Sequence, residues 1–190
     1  SELFKLSCFY EPYIKRKKRR YPAVILLHMW RRNRHEWRSF VPDLQKAGFV
    51  VIAIDMRGHG DSVMKKGRSI NVAHFVTQNY RNMVKDAFSA YEFLINKSFV
   101  DSGRISVIGA SLGTVIAIKL CEKVNRLKPY SPLRSLVLLS PSENFFAVKV
   151  NKSIKNCKQT AILFIMDKKD PTPEKNDIFL SGRKLYQCFE

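Results

Sequence analysis

The chain reads as an α/β domain with a mostly parallel central sheet and helices on both faces. Three observations carry this. The solid apolar runs Ala23 to Leu27, Phe49 to Ile54 and Ile105 to Ile108 have strand length and no alternation, as strands buried on both faces do. Amphipathic segments fall between them, so strand and helix alternate along the chain. Polar and glycine-rich clusters follow the strand ends, where sheets of this kind build sites.

Taken in order, Leu3 to Tyr10 has the make-up of an edge strand. Pro12 and the unbroken basic run Lys15 to Arg20 then form a turn. After the strand Ala23 to Leu27, Glu36 to Ala47 reads as a helix with Trp37, Phe40, Val41 and Leu44 on one face and Gly48 at its C-cap. Phe49 to Ile54 is the next strand, and Asp55 to Gly67 a glycine-rich loop. Asn79 to Asn96 is a long helix with Met83, Val84, Ala87, Tyr91 and Leu94 on its apolar stripe. Ile105 to Ile108 is a strand and Leu112 to Val124 the helix after it. Leu136 to Leu139 and Ala161 to Ile165 are further strands, and Asp177 to Cys188 reads as the start of a helix.

With 190 residues, no internal repeat and no low-complexity linker, residues 1–190 form a single domain. The apolar fraction of 45% suffices for a core. No apolar run approaches membrane-spanning length, so no transmembrane segment is expected. The four cysteines, Cys8, Cys121, Cys157 and Cys188, have neither metal-ligand nor redox-pair spacing. They read as free thiols of a reducing compartment, which points to the cytoplasm. The chain starts at Ser1 rather than Met, and a leader removed before it stays open. The net charge of +18 leaves an anionic surface or substrate open as a partner. No aromatic interleaving, zinc spacing or helix-turn-helix pattern accompanies that charge, so nucleic acid is not the expected partner.

The sharpest local signal is Gly109-Ala110-Ser111-Leu112-Gly113, set between a strand-like and a helix-like run. Alone, a Gly-x-Ser-x-Gly string is weak. Strand, string and helix together form the tight turn that pushes a serine hydroxyl out at a strand end. Glycines flank the turn because side chains there would clash. The helix N-terminus then offers free N–H groups to an oxyanion.

Three other clusters follow strand ends: His28-Met29-Trp30, Asp55 to Ser62, and Asp167 to Pro173. Ala23 to His28 resembles the strand of the α/β-hydrolase family that ends in His-Gly, with Met29 where glycine is usual. Asp55-Met56-Arg57-Gly58-His59-Gly60-Asp61-Ser62 resembles the family's Asp-x-Arg-Gly-His-Gly-x-Ser loop. Gly109 to Gly113 matches its nucleophile elbow, and Met166 to Pro171 resembles the segment that carries its triad acid. The resemblance covers nearly the whole chain and is nearest to small esterase-like or dienelactone-hydrolase-like members.

That resemblance implies a serine hydrolase acting on a carboxylic ester or related small acyl substrate, with no metal or organic cofactor. It implies Ser111 as nucleophile and Asp170 as triad acid, with Asp167 and Glu143 as competitors for the latter. Backbone N–H groups of Leu112 and of Met29 or Trp30 would form the oxyanion hole. Asp55, Arg57, His59 and Ser62 are expected to bond their loop together, and His28 to order the loop after its strand. His59 is not the expected base. His35 and His74 are expected at the surface. Between 140 and 160 there is room for little or no cap, and Phe145, Phe146, Val148 and Val150 are placed at the cleft entrance. Serine rather than aspartate at the elbow argues against a haloalkane dehalogenase, and rather than cysteine against a strict dienelactone hydrolase.

One departure matters. The family order is serine, acid, histidine, yet His28, His35, His59 and His74 all precede Ser111. Either the sequence is C-terminally incomplete, with the family's last strand and histidine beyond Glu190, or the fold is kept without the chemistry. The first is the working expectation. The rival readings are a catalytically inactive module that holds a small ligand in the same pocket, a serine peptidase of related fold, and a basic docking protein.

Overall fold

A computed structural model of the chain describes residues 8–11, 20–127, 132–142, 144–167 and 185–189. In chain order the strands are β1 (Cys8–Glu11), β2 (Tyr21–Leu27), β3 (Val50–Ile54), β4 (Met64–Lys65), β5 (Arg68–Ser69), β6 (Val100–Ala110), β7 (Ser135–Leu139), β8 (Asn144–Phe145), β9 (Val148–Lys149), β10 (Ala161–Asp167) and β11 (Leu185–Phe189). The α-helices are α1 (Val41–Lys46), α2 (Thr77–Ile95) and α3 (Leu112–Leu127). Seven strands form one sheet in the order β1-β3-β2-β6-β7-β10-β11. Every pairing in it is parallel except β1 with β3, where the chain enters at the edge. The predicted α/β class with a mostly parallel sheet is the observed one.

Alternation along the strands divides the core into two layers. Ala23, Ile25 and Leu27 of β2, with Ile105 and Val107 of β6, face α2 and α3. Val24 and Leu26, with Ile108 and Ala110, face Trp37 and Val41 at the start of α1. Helices therefore cover both faces, and this is why the strands show no polar alternation. Met83, Ala87, Tyr91 and Leu94 are buried along the stripe expected for α2. Cys121 is buried on α3.

The structure corrects the sequence reading in three places. The helix expected over Glu36 to Ala47 is split into a 3-10 turn, Arg34–Trp37, and the short α1. Pro42 is the cause: its ring and missing N–H are accepted only in a first helical turn, and it sits there. Phe40, expected on the buried face, is 40% exposed as a result. The edge strand ends at Glu11, one residue beyond the expected Tyr10, and the expected residues 3–7 lie outside the described residues.

The third correction concerns the segment read as the start of a helix, Asp177 to Cys188. Its described part is a strand, β11, paired parallel with β10 from Leu163↔Leu185 to Asp167↔Phe189. An unpaired β10 edge offers a row of backbone donors and acceptors, and tertiary pairing outweighs a weak local helix preference. A parallel strand thus lies where a helix start was expected. No helix among the described residues is long and apolar enough to cross a membrane.

Candidate active site

The sheet reverses direction of growth at β2. Chain order runs β2 to β3 on one side, then returns to β6 on the other, which makes the β2/β6 boundary a switch point. Leu27 pairs with Gly109 there, so the loop after β2 and the turn after β6 open side by side.

Ser111 occupies that turn with φ of +48°, in the left-handed region that a residue with a Cβ adopts at a cost. Close backbone packing sustains it. A Cβ on Gly109 would lie 2.4 Å from the Gly113 carbonyl oxygen, and one on Gly113 would lie 2.2 Å from the Leu27 carbonyl oxygen. Both positions therefore require glycine. The Ser111 N–H donates to the Leu139 carbonyl at 3.0 Å, which ties the turn to β7. Thr114 donates to the Ser111 carbonyl from its N–H at 2.9 Å and its hydroxyl at 2.6 Å. Ser111 is half-buried. Leu112 is the first residue of α3, where N–H groups have no carbonyl one turn back.

In the loop after β2, His28 is fully buried. Its Nε2 accepts from the Met56 N–H at 3.1 Å, so Nδ1 carries the proton and donates to the Met29 carbonyl at 2.7 Å. Burial pushes its pKa down to about 4, so the ring is neutral near pH 7. This is the ordering role expected of His28. The Met29 N–H donates to a Glu36 carboxylate oxygen at 3.0 Å. Of the two oxyanion candidates in this loop, Met29 thus has its donor engaged. Glu36 itself was not foreseen, because a carboxylate seven positions from its partner in a loop carries no pattern.

The loop Asp55 to Ser62 is held by buried polar contacts, as expected. Asp55, fully buried, accepts from the Arg34 N–H at 2.6 Å and the Asp61 N–H at 2.9 Å, and pairs with the Arg34 guanidinium. A Cβ on Gly60 would strike the Asp55 carboxylate. The Arg57 side chain ties the loop to a neighbouring helix. Its Nη2 and Nε reach Asp86 of α2 at 2.6 and 3.0 Å, and its N–H adds a bond of 2.9 Å. Burial raises the Asp86 pKa against the pull of Arg57. Asp86 was missed in the sequence, although a carboxylate on the apolar stripe of a helix is a readable signal. His59 is buried, lies 4.9 Å from the His28 ring and has its Nδ1 3.1 Å from the Arg57 carbonyl. His35 and His74 are exposed.

An aromatic lip borders the loop after β2. Trp30 lies 5.3 Å from Phe146 and 6.1 Å from Phe145 between ring centres. Phe146 stacks flat on Tyr80 of α2 at 4.3 Å. The turn between β8 and β9 that presents Phe146 is strained, with φ of +46° at Phe146 and +61° at Ala147. Over 140 to 160 the described chain forms this hairpin and one 3-10 turn, Ile154–Asn156. Val148 and Val150, expected at the entrance with the phenylalanines, are buried. Asp170 and Glu143 lie outside the described residues, and Asp167 ends β10.

Residues 22–161 match the family model described as alpha/beta hydrolase fold. The chain belongs to that family. Among solved structures, this α/β-hydrolase chain is similar to the acylaminoacyl peptidase of Pyrococcus horikoshii, with a TM-score of 0.73 at 13% identity over 100% of this chain and 36% of that one. It is also similar to Est1E of Butyrivibrio proteoclasticus, solved with ferulic acid bound, with a TM-score of 0.71 at 14% identity over 97% and 86% of the two chains. These likenesses establish the fold. A 41-residue stretch is 49% identical to bifunctional epoxide hydrolase 2 of Rattus norvegicus, which is 22% of this chain and 7% of that protein. A stretch of the same length is 46% identical to epoxide hydrolase B of Mycobacterium tuberculosis, 12% of that protein. The chain spans a small fraction of the curated relatives it matches.

Proposed function

We propose that the protein is a serine hydrolase that cleaves a carboxylic ester or related acyl bond through an acyl-enzyme on Ser111. The supporting observation is the half-buried Ser111 held at φ +48° by glycine-only packing at the β2/β6 switch point. A strained residue kept at a cleft by its surroundings is what a nucleophile elbow requires.

In this reading the Ser111 hydroxyl attacks the substrate carbonyl carbon and loses its proton to a histidine base. The negative charge on the carbonyl oxygen is received by the N–H groups of Leu112 and Trp30, since the Met29 donor is bonded to Glu36. The C–O bond to the leaving alcohol breaks, and the alcohol takes the proton from the imidazolium. Water then repeats the sequence and releases the acid and Ser111. Asp170 orients the base and stabilises its charged form. None of the four histidines follows Ser111, and this reading takes the base to be a histidine outside these 190 residues. Trp30, Phe145 and Phe146 supply an apolar wall for the acyl group. A cytoplasmic setting and little or no cap over 140 to 160 belong to the same proposal.

The test is fluorophosphonate labelling of the product of the entire reading frame, read by intact mass and peptide mapping. Labelling at Ser111 that is lost in Ser111→Ala supports the reading. A folded product that takes no label at Ser111 overturns it in favour of a ligand-binding module.

A further inference from the structure

The β8–β9 hairpin, α2 and α3 border a half-open pocket of about 480 Å³ lined by Arg81, Val84, Lys119, Ala147, Val148 and Lys149. That volume is in the range of small-molecule sites. Three cations reach it from three separate elements: Arg81 from α2, Lys119 from α3 and Lys149 from β9. Among the described residues no carboxylate is in its lining. Lys119 is oriented by the Ser153 hydroxyl at 2.5 Å, and Glu122 reaches it at 3.4 Å from one turn along α3. Arg81 and Lys149 make no ion pair among the described residues.

We infer that this cavity binds a phosphorylated small molecule, with the phosphate between Arg81, Lys119 and Lys149 and its organic body against Val84, Ala147 and Val148. Like charges converging on one cavity repel unless an anion joins them, and a phosphate carries enough charge and oxygen acceptors to engage all three. The wall is also built rather than incidental. The two consecutive left-handed residues, Phe146 and Ala147, hold the hairpin so that Ala147 to Lys149 face the cavity. A second surface cavity of about 540 Å³ makes a useful contrast. It carries Arg126, Lys155 and Lys158, but Glu122 sits in its wall and none of its described lining residues is apolar. The net charge of +18 attracts anions to both, so only a site-specific loss is informative.

The experiment is calorimetric titration of the product of the entire reading frame with phenyl phosphate, inorganic phosphate and benzoate at low salt. Phenyl phosphate is expected to bind about tenfold or more tightly than benzoate, with inorganic phosphate between them. The pair Arg81→Gln with Lys149→Gln is expected to weaken phenyl phosphate binding about tenfold, whereas Lys155→Gln with Lys158→Gln leaves it within about twofold. Ser111→Ala leaves it unchanged, because the inference does not depend on the chemistry proposed for Ser111. Equal loss in the two double variants, or benzoate as tight as phenyl phosphate, overturns the assignment.

Discussion

Gly113 lies against the carbonyl of Leu27 so closely that a Cβ there would stand 2.2 Å from the oxygen. The helix that begins after Ser111 therefore starts in backbone contact with the end of β2. This contact joins the Ser111 turn to the loop that carries Met29 and Trp30.

Gly113→Ala is expected to cost about 3 kcal/mol, since neither a carbonyl nor a helix backbone can yield as a side-chain tip does. Gly48→Ala is the control. Gly48 has φ of +89° but nothing within 4 Å of its missing Cβ, so only conformational strain of about 1 kcal/mol is lost. Urea unfolding of both variants measures the difference; equal costs would remove the packing argument.

Ser111→Gly is expected to raise stability by up to about 1 kcal/mol while abolishing any labelling at the turn. The gain comes from placing at φ +48° a residue that tolerates it. Thermal melts of Ser111→Gly and Ser111→Ala separate backbone strain from loss of the hydroxyl, because alanine keeps the Cβ. A glycine variant no more stable than the alanine variant would show that the turn is not strained.

Asp86→Ala leaves the Arg57 guanidinium buried without its carboxylate, and a loss of about 3 to 5 kcal/mol is expected. A second expectation follows from the Arg57 N–H bond to the same carboxylate: the Asp55 to Ser62 loop loosens with it. Hydrogen exchange at Arg57 and His59 reports this, and unchanged protection would confine the effect of Asp86 to the ion pair.

Stability is expected to fall as the pH drops from about 6.5 to about 4. In that window the unfolded chain protonates its imidazole near 6.5, while folded His28 stays neutral to about 4. The unfolded state binds more protons, so unfolding becomes easier by on the order of 3 kcal/mol across the window. Burial also lowers the His59 pKa and adds in the same direction, whereas the raised Asp86 pKa acts in the opposite sense. A urea midpoint that stays flat from pH 6.5 to 4.5 would contradict the buried neutral state of His28.

Much of this was legible in the residues. Ala23 to Leu27 and Phe49 to Ile54 announce buried strands because a strand covered on both faces needs no polar alternation. Gly109 and Gly113 announce the turn around Ser111 because only glycine survives the contacts they make. Boundaries were less legible. Pro42 moved the start of α1, and β11 replaced an expected helix because the open edge of β10 competes with local preference.

By itself, then, the sequence determined the class of fold, the tight turn at Ser111 and the ordering roles of His28 and Asp55. Each of these rests on local chemistry: strand-length apolar runs, tight-turn glycines, and polar side chains close to the backbone they bond. Only the tertiary structure decided that Glu36 engages the Met29 donor, that Arg57 pairs with Asp86 29 positions away, and that Arg81, Lys119 and Lys149 surround one cavity. Those relationships depend on strand order and helix placement. The free energy of bringing such distant groups together is supplied by the whole core rather than by any segment that contains them.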